Sequence, residues 1–377
     1  MKQRLIEQYA PLIGQFLYDI KGLDVTGIPA PHIPIMGQNY EAAKYKIAFI
    51  GMETYGWTDL SAFKEIALEE NGLQKLVTYE EKSINSLMYL NWAGNCTTTF
   101  WGFPLRFLSK FYNVELKELM DRKHPEILTS FVWGETNSIE RYGVSTANNV
   151  NYNVWEAVKK ASICFDSANN LIKAVAPKIF FVLHSGVDKD YISSDDAVRE
   201  MGVPIENRKS ILSLDVEIDL KIRYHYLRGE DVHIIALPHP RWMGQYSGHS
   251  IDFYVDKVID LLNRFQIWDS LPKSASDWKG EVVQYNKSSI QFKRKIIAEL
   301  AAVLMRNNLK MSGKELQLLL NMNQIQTQYG TDYGESGGRG VHKLIASVWQ
   351  YYYNRKDFQT AYNISRAFVN QNGEQAW

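Results

Sequence analysis

Two short stretches combine reactive side chains with backbone breakers. Gly51-Met52-Glu53-Thr54-Tyr55 places a carboxylate and a phenol just after a glycine. Pro238-His239-Pro240-Arg241-Trp242-Met243 holds an imidazole between two prolines, followed by a guanidinium and two large side chains. A carboxylate can stabilise a developing cation or position a water, and an imidazole can donate to a leaving group. The two lie 186 positions apart (239 − 53), so only the fold can bring them together. A third stretch, Phe131-Val132-Trp133-Gly134-Glu135-Thr136-Asn137, likewise leads from an apolar run through a glycine to polar side chains. Each has a plainer reading as well. Glu53 fits a surface loop, His239 a hydrogen-bonded structural histidine, and Asn137 a turn-former.

These stretches follow apolar runs that must position them. Lys46–Ile50, Ser130–Trp133, Lys178–Leu183 and Val232–Leu237 are short and β-favouring, and most lack polar alternation. That pattern suits strands buried on both faces. Helical spacing covers 154–175, and 251–265 follows Ser250, a good N-cap. Alternating strands and helices predict a three-layer α/β/α domain around a mainly parallel four-stranded sheet. Ligands of such sheets bind beyond the carboxyl ends of the strands, where these stretches lie. His184, after the third run, reads as a hydrogen-bonded strand-end histidine. The run Arg223-Tyr224-His225-Tyr226-Leu227-Arg228 suits a strand or an amphipathic helix equally well.

The chain has 377 residues, enough for about two domains. Hydrophobic residues make up 45% and charged residues 22%, which excludes disordered, collagenous and coiled-coil classes. Only two cysteines, Cys96 and Cys164, occur, too few for a disulfide framework, a four-cysteine zinc site or an iron–sulfur cluster. No apolar run approaches the roughly 18 residues of a membrane helix. The amphipathic start, with Glu7 and Asp19, lacks the apolar core of a signal peptide. We expect a soluble, cytoplasmic protein that requires no metal or cofactor, with a monomer favoured. Aromatic residues reach 13%, which large cores explain and which stacking surfaces for bases or sugars would also explain.

Net charge is zero overall but unevenly spread. Residues 280–377 carry 12 Lys plus Arg against 7 Asp plus Glu, a net of +5, leaving −5 on the rest. The expected division is a catalytic domain over 1–268, a linker over 269–282 and a basic helical domain over 283–377. Helices are predicted at 287–307, 312–321, 340–353 and 356–369, which suits a helix-turn-helix-like module. The turn Gly337-Gly338-Arg339-Gly340 opens the third, so Arg339 and Lys343 are placed to meet phosphates, although a tight turn alone would need the same glycines. Tyr351-Tyr352-Tyr353 reads as helix packing.

The two motifs, in this order and each after a buried strand, resemble the uracil-DNA glycosylase superfamily. Its members open with a strand followed by Gly-x-Asp-Pro-Tyr-His or Gly-x-Asn-Pro-Gly, and close with a strand followed by His-Pro-Ser-Pro or a variant. The resemblance covers roughly residues 40–265. It implies a base-flipping hydrolase of N-glycosidic bonds acting on double-stranded DNA. Glu53 takes the water-activating position and Tyr55 the pocket wall, with Gly51 and Met52 beside them. His239 faces the leaving base, Asn137 reads it, with Glu135 as its rival, and one aromatic of the Phe100–Phe103 stretch stacks on it. Arg241 holds DNA, and Trp242 or Met243 fills the gap left by the flipped base. Glu53 in place of Asp or Asn, Thr54 in place of proline and Arg241 in place of serine imply a reshaped pocket. With the added domain, these departures resemble the bacterial anti-phage branch that excises glucosylated hydroxymethylcytosine. Uracil or mismatch repair is the rival substrate class, and a non-catalytic DNA-binding regulator the rival function. Hydrolysis of a free nucleoside is a third, weaker alternative.

Overall fold

The computed structural model describes residues 2–51, 59–79, 81–93, 100–135, 138–139, 151–165, 168–183, 211–217, 219–266, 271, 289–334, 339–370 and 373–375. They form two compact units, Met1–Val255 and Asp256–Trp377. The division falls inside the helix Ile251–Gln266, which the sequence-based boundary assigns whole to the first domain.

The first unit is α/β and is built on a mixed sheet of seven strands: β1 (Ile35–Met36), β2 (Ile47–Gly51), β3 (Phe131–Glu135), β4 (Ile179–Leu183), β5 (Ile211–Glu217), β6 (Ile222–Leu227) and β7 (Val232–Leu237). Their order is β1-β3-β2-β4-β7-β6-β5. The expected four-stranded sheet is therefore corrected to seven strands. The four apolar runs form its parallel middle, β3-β2-β4-β7. Antiparallel strands flank it, β1 on β3 at one edge and β6 and β5 beyond β7 at the other. A two-residue strand such as β1 leaves no periodic signal. In Ile211–Glu217 (ILSLDVE), however, Ser213, Asp215 and Glu217 alternate with apolar residues, and this period of two marks a strand with one polar face.

The central strands are mostly apolar because helices cover both of their faces. On one face Ala48, Ile50, Val132, Phe180, Val182, Ile234 and Ala236 join a core with residues of Lys2–Asp19, Tyr152–Ser162 and Ala168–Val175. The predicted single helix over 154–175 is thus two, interrupted by a short 3₁₀ turn at Ile163–Phe165. The opposite face is aromatic. Phe49 stacks on Phe181 at 5.2 Å between ring centres, and Phe107 meets Phe181 at 4.7 Å from the helix Gly102–Tyr112. Alternate residues of one strand thus feed two cores of different composition.

Burial also sets an acid limit. His32 and His225 are almost wholly inaccessible. Burial pushes the His32 ring down to about 3. His225 is pushed to about 4, chiefly by burial and secondarily by the Arg223 charge. Both rings stay neutral in the folded chain while the unfolded chain binds protons below about 6.5. Stability is therefore lost as pH falls from about 6.5, by up to about 1.4 kcal/mol per pH unit for each histidine. Urea melts at pH 7.5 and 5.5 check this. The midpoint is expected to drop at the lower pH, and His225→Gln should reduce the drop.

In the second unit the helices Ile290–Arg306, Gly313–Met322, Arg339–Asn354 and Phe358–Ala367 form close to the spans expected. Two short strands, β8 (Met311–Ser312) and β9 (Phe368–Val369), pair in parallel. Ser312 and Glu315 form a reciprocal capping box. Arg264 meets Glu315 at 2.9 Å. Gly313 allows the His342 ring close approach, since a Cβ there would lie 2.7 Å from its Cε1.

Candidate functional site

The order of the parallel strands defines where a site can form. The chain passes from β2 to β3 on one side, then crosses to β4 on the other. Such a reversal opens a crevice at the carboxyl ends of the strands, here between β2 and β4. β7 lies next to β4 and runs the same way. Gly51 at the end of β2 and Leu237 at the end of β7 therefore leave the same edge, two strand spacings or about 10 Å apart.

At the β7 exit, His239 caps the helix Pro240–Ser247. Pro240 sits at its first position, where the missing N–H costs nothing. The His239 Nδ1 accepts a hydrogen bond from the Arg241 backbone N–H at 3.1 Å. An accepting Nδ1 carries no proton, so in the neutral ring the proton resides on Nε2, which is then a donor. The ring is half-buried. Arg241 is exposed and lies over the Trp242 ring, 5.5 Å from its centre. Met243 is fully buried, so of the two residues expected to fill a gap in DNA only Trp242 is accessible. Met243 faces inward because the turn that exposes Arg241 and half-exposes Trp242 puts it against the core.

At the β2 and β3 exits, Gly51 pairs with Glu135. A Cβ on Gly51 would lie 2.3 Å from Glu135 Oε2, so the glycine makes room for that carboxylate to fold across the strand end. The other oxygen, Oε1, accepts from the Trp133 indole N–H at 2.9 Å. Trp133 anchors an aromatic group. Its ring lies 5.1 Å from Trp101, 6.3 Å from Phe100, 6.3 Å from Trp92 and 5.0 Å from His32. His32 is held by its backbone N–H, which donates to Ser138 O at 2.6 Å. Sequence reasoning missed His32, although Pro31-His32-Ile33-Pro34 shows the same proline-flanked pattern as His239.

The aromatic candidates separate by burial. Phe103 is fully buried and packs on Phe107 and Phe181 in the sheet core. It is therefore corrected from stacking platform to core residue. Phe100 is half-buried and stands beside Trp101 at 5.1 Å. Met52, Glu53, Tyr55, Asn137 and His184 lie outside the described residues. In the second unit Lys343 is exposed, whereas the Arg339 side chain is outside the described part. Among the described residues no three His, Cys, Asp or Glu side chains converge as metal ligands, and no helix is long and apolar enough to cross a membrane.

No protein-family model matches this chain, and neither a curated protein nor a solved structure matches it.

Proposed function

We propose that the chain is a monofunctional DNA glycosylase with the three-layer fold of the uracil-DNA glycosylase superfamily. It hydrolyses the N-glycosidic bond of one extruded, modified base in double-stranded DNA and leaves an abasic site. The base is glucosylated hydroxymethylcytosine of phage DNA, and the setting is cytoplasmic anti-phage defence. One observation carries this reading: the strands that lead into Glu53 and His239 run parallel on either side of β4 and leave the same sheet edge.

The chemistry follows from the charges that bond cleavage creates. As the C1′–N bond breaks, its electron pair moves to the base and positive charge develops on the sugar. Glu53 stabilises that cation and takes a proton from the water whose oxygen bonds to C1′. The His239 Nε2–H donates to the oxygen of the departing base. Phe100 stacks on the extruded base, and Trp242 fills the space it leaves. Extrusion costs a few kcal/mol, which DNA contacts by Arg241 and the basic second unit offset.

Abasic-site formation on duplexes carrying uracil, mismatched thymine, hydroxymethylcytosine or glucosylated hydroxymethylcytosine tests the proposal. The glucosylated duplex should react fastest. Preference for uracil would make the chain a repair enzyme instead, and release from none of them by folded protein would refute glycosylase activity.

A further inference from the structure

The second unit carries an aromatic face that its core does not use. Tyr353, Phe358 and Tyr362 are 48%, 58% and 51% exposed. They are not scattered. Tyr353 stacks on Trp349 one helical turn earlier, at 4.9 Å and 20° between the rings. It also meets Phe358 across the turn to the next helix at 5.5 Å. Phe358, Tyr362 and Arg366 then recur every four residues, which keeps them on one side of the helix Phe358–Ala367. The result is one continuous strip around a helical corner. Packing within the unit accounts for Trp349, which is half-buried, but not for three large rings left near half exposure.

Charge indicates what the strip meets. From Arg339 to Arg366 there are five Lys plus Arg and a single acid, Asp357. The carboxylate of Asp357 is engaged at the N-terminus of the last helix, where it accepts from the Thr360 N–H at 3.1 Å. Arg366 lies 5.6 Å from the centre of the Tyr362 ring, and Arg355 lies 5.3 Å from that of Tyr351. Exposed rings with guanidinium groups beside them match a ligand of alternating flat π faces and anions. Paired bases hide their faces in the duplex stack, so only an unpaired strand presents both.

We infer that this face of the C-terminal helix pair binds single-stranded DNA, stacking unpaired bases on Tyr353, Phe358 and Tyr362 while Arg355 and Arg366 hold phosphates. The choice of DNA over RNA rests on the proposed glycosylase function; the stacking itself does not.

Fluorescence anisotropy of the full chain with labelled oligo-dT of about 16 nucleotides, the upper end of one binding site, tests this. Oligo-dT should bind, and the ring variants should weaken that binding while leaving blunt-duplex binding unchanged. Tyr353→Ala and Phe358→Ala should each weaken oligo-dT binding about ten-fold, whereas Tyr353→Phe keeps the ring and the affinity. Arg355→Gln should flatten the log–log salt dependence by about 0.7. These positions are exposed, and unchanged circular dichroism shows that the variants fold. Ring variants that weaken duplex binding as much as single-strand binding, or alanine variants that bind oligo-dT like the parent, would overturn the inference. So would variants that lose only self-association, which would make the strip an interface between copies of this chain. Tighter binding of oligo-U RNA would overturn the choice of DNA. Base release is scored separately on duplexes, so a chain that binds the strand but releases no base refutes the glycosylase function and leaves the stacking surface standing.

Discussion

His239→Ala is expected to slow single-turnover base release about 10²–10⁴-fold, with duplex binding nearly unchanged. The ring has two duties that the variant removes together. Nδ1 caps a helix by accepting from Arg241 N–H, and in the proposed mechanism Nε2–H donates to the departing base. Losing a cap costs about 1 kcal/mol of stability, too little to unfold a typical domain. His239→Ser separates the duties, because serine caps well but cannot reach as an imidazole does. It should restore stability and remain as slow as alanine. Glu53→Gln, which keeps shape and removes charge, should be at least as slow. If His239→Ser releases base at the parental rate, the histidine is only a cap and the proposed mechanism fails.

The largest effect on stability is expected at Phe181. This ring is fully buried, stacked on Phe49 and edge-on to Phe103 and Phe107. Phe181→Ala should cost about 3–5 kcal/mol, since the surrounding rings can close only part of the cavity. That is a large share of the 5–15 kcal/mol that holds a typical domain folded. Urea melts would show the midpoint falling with the slope unchanged. Phe358→Ala, at an exposed ring, should stay within about 0.5 kcal/mol in the same experiment. A small loss at Phe181 would mean that the aromatic face of the sheet is loosely packed.

The legible part of the fold was the part with strong local signals. The four runs that form β2, β3, β4 and β7 are mostly apolar because both of their faces are covered. The four C-terminal helices show clear periodicity and form nearly where expected. Less legible were the added antiparallel strands, whose stabilisation comes from neighbours distant in sequence or from a single buried face. At the site, Phe100, Phe103 and Met243 looked alike as large apolar residues near the motifs. Burial separates them, because one turn of helix decides whether a ring faces core or solvent. His32 was overlooked because its neighbour Trp133 lies about a hundred positions away.

Composition and pattern alone determined which segments would be buried strands, which end of the chain would be basic and helical, and which polar groups follow each strand. Those properties depend on the few residues around each position. Only the tertiary structure decided that β4 lies between β2 and β7, that the Glu135 carboxylate folds over Gly51, and that the His239 Nδ1 caps the helix that follows it. Burial of apolar surface is non-directional and does not specify which strands become neighbours. That choice comes from crossover connections and side-chain packing over the whole unit, and it sets the distances on which any chemistry at the sheet edge depends.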